Sequence, residues 1–550
     1  MTDNQAAAAA GDSQASAIGG DSQADALADI AAQKKRKREV LIVLPGLLLT
    51  LIIAMLDQLV VSTALPRIVG DLGGLNHLAW VVTAYILAST ITTLFYGKLG
   101  DMYGRKRFLV IAIVIFLVGS ALSGLAHSMD QLIAFRALQG LGAGGLMVGA
   151  IATIGDMVAP RERGQYMGYM MAAMMVAMIA GPLVGGYITQ HWSWRWIFYI
   201  NMPIGGAALV YLWATLHLPK KRVEHKIDYL GAAVIAIFST AIVLLTSWGG
   251  SQFAWGSWQI IMLGCISAAA LAAFFAVESR AAEPMLPLHV FKNRNFSLAS
   301  SMSFLLGMAM LGALTFLPLY QQTVQHASPT GSGLALIPLM LGSTVTSLIS
   351  GQVTSRTGRY KILPIIGAVI MTIGIFLLSH LGVHTTRLDS ALCFVVLGIG
   401  MGFLMQITSL IVQNSVPQSD MGVASSSRAF FQQIGGSLGV SLFGVIFFRR
   451  FADVVSATLH THTAVGSGDS IDPATIDRLP GLIRDAAFHG ISSGLDGVML
   501  WTIPATVAVF LLALFVKEIP LRTHIERPAE QAPPEPELVS GSEPELVSGT

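Results

Sequence analysis

Of the 550 residues, 53% are hydrophobic and only 12% are charged, with a formal net charge of +2. Soluble domains carry about 25% charged residues, so the composition excludes a soluble globular enzyme and predicts helices that cross a membrane. The near-neutral balance gives no reason to expect a nucleic-acid partner. The two cysteines, Cys265 and Cys393, each sit inside an apolar run and argue against a disulfide framework or a thiolate metal site.

Residues 1–40 read as a polar tail rich in Ala, Gly, Ser, Asp and Gln, closing on Lys34-Lys35-Arg36-Lys37-Arg38. No cleavable signal peptide is apparent ahead of the first apolar run. Fourteen apolar windows follow, near 41–63, 78–96, 108–126, 131–155, 165–188, 197–217, 228–247, 258–278, 297–320, 332–352, 362–380, 388–412, 427–447 and 497–516. Each is close to the roughly 20 residues that cross a bilayer as a helix. The expected inner segments hold 24 of the 33 lysines and arginines and the outer ones seven, which predicts that both ends are cytoplasmic. Trp80, Trp192, Trp194, Trp196, Trp255 and Trp258 fall at predicted outer span ends, where amphipathic rings prefer to sit.

An internal repeat runs through the chain. Leu65-Pro66 matches Leu317-Pro318, Gly97 matches Gly351, and Gly181 matches Gly435, at offsets of 252 and 254 residues. Leu141 to Met147 matches Ile399 to Met405 at an offset of 258 residues. The predicted fold is therefore an all-α polytopic membrane protein of two six-helix halves, 41–218 and 286–520, with two inserted helices in 219–285. The 449–494 segment is expected to be an outer loop with a short helix from Asp472 to about Phe488. Residues 521–550, which repeat EPELVSG, are expected to be a disordered tail.

Few residues in the spans can carry chemistry. Asp57 lies about two-thirds along the first span, where an ionised carboxylate is costly and marks an ion path or an ion pair. Arg136, near the outer end of span four, reaches a similar depth. The two form either a static pin or a switch broken by protonation. Gly97-Lys98-Leu99-Gly100-Asp101-Met102-Tyr103-Gly104-Arg105-Lys106-Arg107 is a charged turn between two spans, echoed at Gly351 to Lys361. Asp101, Arg105 and Asp156 are expected to be solvated charges or a latch on the inner gate, and Gly97, Gly100 and Gly104 favour close approach and hence a latch. Span five carries Met167, Met170, Met171, Met174, Met175 and Met178 at helical spacing, then Gly181-Pro182-Leu183-Val184-Gly185-Gly186. The methionines are packing or lipid-facing, or else Met171, Met174 and Met178 line a soft cavity. Gln58, Gln139, Gln406, Arg428, Gln432 and Gln433 are further candidates for its lining, while Gln139, Gln406, Gln432 and Gln433 taken singly read as satisfied interhelical contacts. No GxxxxGK[ST] loop and no convincing metal-ligand spacing is present.

The stretch Gly97 to Arg107 resembles the loop 2–3 motif of the major facilitator superfamily. Arg136-Ala137-Leu138-Gln139-Gly140-Leu141-Gly142-Ala143-Gly144 resembles its span-four motif, and Gly181 to Gly186 its span-five antiporter motif. Leu56-Asp57-Gln58, Ala64 to Ile68 and Trp194 to Pro203 resemble elements of its fourteen-helix drug/proton antiporters. The resemblance covers about residues 40–520. It implies proton-driven export of lipophilic drugs or antibiotics by alternating access, with Asp57 and Arg136 in coupling. It also implies that the glycines 97, 100, 104, 181, 185 and 186, with Asp101, Arg105, Arg107 and Pro182, serve gating, to which the latch reading adds Asp156. Protons are the expected coupling ion and no cofactor is expected. The expected partners are the lipid bilayer and a small lipophilic substrate, and the protein is expected to be a monomer in a bacterial plasma membrane. Span ten has no acid and span thirteen carries Arg428, a departure that argues against dications. A dedicated exporter of one metabolite or lipid is the alternative, and a polytopic membrane enzyme a more distant one.

Overall fold

The computed structural model describes residues 34–521, apart from 36, 62–63, 66, 69–70, 73–77, 159, 218–227, 251, 282–283, 285, 328, 418–419 and 460–480. Among the described residues there are fourteen long helices and no strand. The first half contains α1 (Lys37–Val61), α2 (Leu78–Tyr103), α3 (Arg105–Gly124), α4 (Met129–Met157), α5 (Pro160–His191) and α6 (Trp196–Thr215). The inserted pair is α7 (Tyr229–Trp248) and α8 (Trp258–Glu278). The second half contains α9 (Arg294–Thr323), α10 (Ile337–Thr357), α11 (Ile362–Leu378), α12 (Arg387–Asn414), α13 (Met421–Leu459) and α14 (Gly481–Phe515). Twelve of these are long and apolar enough to cross a membrane, and α11, at 17 residues, is a shorter apolar helix. All-helical architecture suits a bilayer, because a helix satisfies its own backbone polar groups.

The charged turn is tighter than the sequence suggests. Helix α2 continues through Gly97, Gly100 and Asp101 to Tyr103, and only Gly104, at φ 101°, leaves helical geometry before α3 begins. Its repeat partner is Gly358, at φ 70°, which ends α10 254 residues later. A left-handed φ at these two positions is inexpensive only without a Cβ. Elsewhere polar caps start the helices, with Ser128 accepting from Gln131 N, Asp228 from Gly231 N, and Thr386 from Asp389 N.

Two expectations are corrected. The 449–494 segment is not a loop over its described length: α13 runs on to Leu459, and α14 is continuous from Gly481 into the membrane span. At 1.5 Å per residue these helices reach about 58 and 52 Å, well beyond a hydrocarbon core of about 30 Å. Arg450 and Asp496, both partly exposed, pair at 2.9 Å and join them. The expected helix start at Asp472 lies outside the described residues. Trp194 is no interfacial anchor either: it is 1% exposed, and its Nε1 donates to Asp71 at 2.8 Å.

Backbones meet where both helices carry small residues. A Cβ on Gly140 would meet Tyr85 O at 2.5 Å, and one on Gly119 would meet Gln139 N at 2.5 Å, so α4 is pressed between α2 and α3. In the second half Gly307, Gly435 and Gly439 hold α9 against α13, with a Cβ on each colliding with a carbonyl of the other helix. The inserted pair covers one seam between the halves. Trp80 of α2 packs on Trp248 of α7 at 5.3 Å, and Phe238 of α7 on Phe430 of α13 at 6.5 Å. Ser441 of α13 donates to Thr246 O of α7 at 2.5 Å.

Gly435→Val should lower the thermal midpoint of the solubilised protein by overpacking that costs about 1–3 kcal/mol. Gly206→Ala, which meets nothing within 4 Å, should leave it unchanged. Equal midpoints for both variants in a melting series would contradict the proposed α9–α13 packing.

Candidate functional site

Asp57 and Arg136 come together as the sequence suggests. They are 0% and 1% exposed, and Arg136 Nη1 donates to Asp57 Oδ2 at 2.7 Å. Gln139, one turn after Arg136 on α4, accepts from Arg136 Nη1 at 2.8 Å and donates to Asp57 Oδ1 at 2.8 Å. Its amide is therefore oriented by both charges. Asn201 of α6 donates to the same Oδ1 at 2.7 Å and to Ser120 Oγ of α3 at 2.9 Å, and Ser120 in turn donates to Phe198 O at 2.9 Å. The guanidinium lies over the Tyr85 ring of α2, 4.1 Å from its centroid. Five helices of the first half thus converge on one carboxylate. It accepts three charge-assisted hydrogen bonds, which makes ionisation tolerable at this depth.

Sequence reasoning missed Asn201, Ser120 and Tyr85 as members of this cluster; of its two readings of Gln139, cavity lining and satisfied interhelical contact, the structure shows the second. Asn201 lies inside the quoted Trp194 to Pro203 stretch, and a buried amide in an apolar segment is the signal that could have singled it out. Ser120 and Tyr85 carry no such mark, since hydroxyls within membrane helices commonly bond their own backbone.

A second cluster sits at the end of the bundle carrying Gly104 and Gly358, here called the turn face. Arg105 pairs with Asp101 and, through Nε, with Asp156 at 2.9 Å, while its Nη1 donates to Gly97 O at 3.2 Å. Asp101 also accepts from the backbone N–H groups of Gly422 at 3.1 Å and Val423 at 2.8 Å. Those two amides belong to the first turn of α13, in the opposite half, where a helix N-terminus attracts negative charge. The charges are therefore not simply solvated. Gly97 makes the contact possible, since a Cβ there would strike Gly422 O at 2.7 Å and the Ser426 side chain. Gly100 lies against Arg105, and Arg107 is exposed.

The repeat supplies the mirror contact. Gly351 of α10 approaches Gly164 of α5 so closely that a Cβ on Gly164 would lie 2.8 Å from Gly351 Cα. Gln406 of α12 donates to Gly164 O at 2.9 Å and accepts from Ser347 at 3.3 Å and from Ser350. Gln406 is thus spent on this junction between the halves. The remaining candidates are spread along α1, α5 and α13. Met178 packs against the core of the second half, Met175 accepts from Thr344 at 3.6 Å, and Met171 and Met174 are half-buried. Gln58 is exposed, Gln432 and Gln433 are half-buried, and Arg428 is buried. Gly181 packs on Leu59 of α1, Gly185 O accepts from Thr189 at 2.6 Å, and Gly186 O accepts from it at 3.1 Å. The side chain of Pro182 lies outside the described residues.

The profile of the Major Facilitator Superfamily matches residues 47–440. An uncharacterised MFS-type transporter of Mycobacterium tuberculosis strain H37Rv is 40% identical over 480 residues, covering 87% of this chain and 70% of its own. The multidrug transporter protein MdtP of Bacillus subtilis is 36% identical and covers 78% of each chain. Multidrug resistance protein 3 of the same organism is 34% identical and covers 88% of this chain and 96% of its own. Among solved structures, the proton:xylose symporter XylE superposes with a TM-score of 0.58 at 14% identity, covering 88% of this chain and 97% of its own. That likeness concerns the fold alone. Matched over most of its length by profile, relatives and fold, this multi-pass membrane protein belongs to the major facilitator superfamily and is a transporter rather than an enzyme.

Proposed function

We propose that this transporter exports lipophilic drugs or antibiotics in exchange for protons, by alternating access, across a bacterial plasma membrane with both ends cytoplasmic. The observation that carries the coupling is Asp57, a fully buried carboxylate whose every described partner is a donor. Protonation removes its attraction for Arg136, an effect of the order of 3–5 kcal/mol for a buried pair losing one member. It also turns one carboxyl oxygen into a donor. Asn201 holds a buried, unused acceptor in its Oδ1, which an amide rotation would present to that proton. The names of the Bacillus subtilis relatives support multidrug export, and the excess of lysines and arginines in alternate loops supports the orientation.

The turn-face cluster is the gate in this reading. Helices α2 and α4 carry members of both clusters: Tyr85 and Asp101 on the one, Arg136 and Asp156 on the other. Breaking the Asp57–Arg136 pair tilts α4 against α2 and draws Asp101 and Asp156 away from the arrangement that holds α13. The inner gate then opens to a substrate from the cytoplasm, and release of the proton inward closes it again.

Energised inside-out vesicles should release protons when a panel of dyes and antibiotics is added, and Asp57→Asn should abolish the release while the protein remains folded. Proton release unchanged in Asp57→Asn would reduce the pair to a structural pin. Asp101→Asn, which weakens the hold on the α13 amides, should leave substrate affinity intact and lower turnover about tenfold, a barrier change of about 1.4 kcal/mol. Loss of affinity with turnover preserved would place Asp101 outside the gate.

A further inference from the structure

Among the described residues, four arginines are less than one-tenth exposed: Arg105, Arg136, Arg163 and Arg428. The chain satisfies three of them. Arg105 meets two carboxylates, Arg136 meets Asp57, and Arg163 donates to Val158 O at 3.0 Å and Gly155 O at 2.6 Å. Arg428 is different. Its Nη1 donates to Gln432 Oε1 at 2.9 Å, its Nε is buried with no acceptor, and no described carboxylate pairs with it. A desolvated cation without a counter-charge costs several kcal/mol, and a methionine of similar length would pack there without that cost.

The surroundings say what is missing. Gln432, one turn after Arg428, and its neighbour Gln433 are half-buried, so the chain does not fully cover this stretch of α13. The repeat that equates Gly435 with Gly181 also equates Arg428 with Met174 and Gln432 with Met178. Symmetry-related faces of α5 and α13 therefore differ in chemistry: thioethers stand on one, a cation and an amide on the other. The first suits the apolar body of a compound. The second suits an anionic oxygen group, because a guanidinium binds a carboxylate through two parallel N–H donors and Nε is one of them.

We propose that Arg428, with Gln432 beside it, reads the head group of the substrate, and that the preferred substrates are lipophilic compounds bearing a carboxylate or similar anionic oxygen group. This rests on the exporter reading above and narrows its substrate class.

The test uses the full chain in nanodiscs of neutral lipid, with a size series of aromatic carboxylates and the methyl ester of each, binding being followed by tryptophan fluorescence. Wild type should bind at least one carboxylate about tenfold more tightly than its ester. Arg428→Gln should bind acid and ester alike, and Arg428→Lys, which keeps the charge but not the fork, should retain part of the preference. Without ligand, Arg428→Gln should melt at or above the wild-type temperature, and the acid should raise the midpoint of wild type only. Were Arg428→Gln not to fold, a reduced preference in Arg428→Lys would decide. Wild type binding no acid more tightly than its ester, or a preference kept in Arg428→Gln or undiminished in Arg428→Lys, would overturn the assignment. So would a preference that vanishes in nanodiscs rich in an anionic lipid, since a headgroup would then be the natural occupant. Selective binding without proton release in vesicles would overturn the exporter reading and leave the Arg428 assignment standing.

Discussion

The first half of this protein is built around one carboxylate that has to be satisfied away from water. Asp57 supplies a charge that hydrocarbon cannot solvate, so every helix near it contributes something: Arg136 and Gln139 from α4, Asn201 from α6, Ser120 behind it from α3, and the Tyr85 ring from α2. The backbone adjusts to let them arrive. Gly140 and Gly119 bring α4 within backbone contact of α2 and α3, and without that approach the guanidinium would fall short of the carboxylate. A buried pair is weak evidence for stability, because desolvation offsets much of the attraction. What the cluster fixes is geometry: five helices meet where the carboxylate finds its three donors.

The same helices extend that influence to the turn face. Arg136 and Asp156 stand 20 residues apart on α4, about 30 Å at helical rise. The halves are locked there by two contacts related by the repeat, Gly97 against Gly422 and Gly351 against Gly164. Close backbone approach is common to both; charge is not. The first contact is braced by Arg105, Asp101 and Asp156, the second by the neutral Gln406 with Ser347 and Ser350. A duplicated scaffold thus carries one ionic and one neutral closure. The inserted pair α7–α8 adds a further asymmetry by covering the seam between α2 and α13 with aromatic and hydroxyl contacts. The α5–α10 seam keeps outward-facing apolar residues such as Val176, Leu183, Val345 and Ile349 instead.

Much of this was legible in the sequence. Apolar windows near 20 residues gave the helices, because length and hydrophobicity alone decide whether a segment can cross a bilayer. The matches at offsets near 254 exposed the two halves, and Asp57 with Arg136 stood out because charges in such segments are too costly to be idle. What the sequence obscured were features that depend on neighbours. Gly97 to Tyr103 reads as a turn on composition but is helical, since close packing against α13 favours small residues there as much as a turn does. The polarity of 449–494 reads as a loop, yet its described parts extend α13 and α14 beyond the membrane.

Composition, periodicity and repeat therefore determined that the chain is a duplicated helical membrane protein with a buried acid in its first span, because those properties follow from local partitioning between water and lipid. Tertiary structure alone decided that Asn201, Ser120 and Tyr85 complete that acid's shell, that Asp101 holds the amides of Gly422 and Val423 across the halves, and that Arg428 is the buried arginine the described chain leaves uncompensated. Each of these depends on atoms brought together from segments as much as 322 residues apart, as Asp101 and Val423 are. No local pattern encodes which distant donor a buried group will meet; only the packing of the helices settles it.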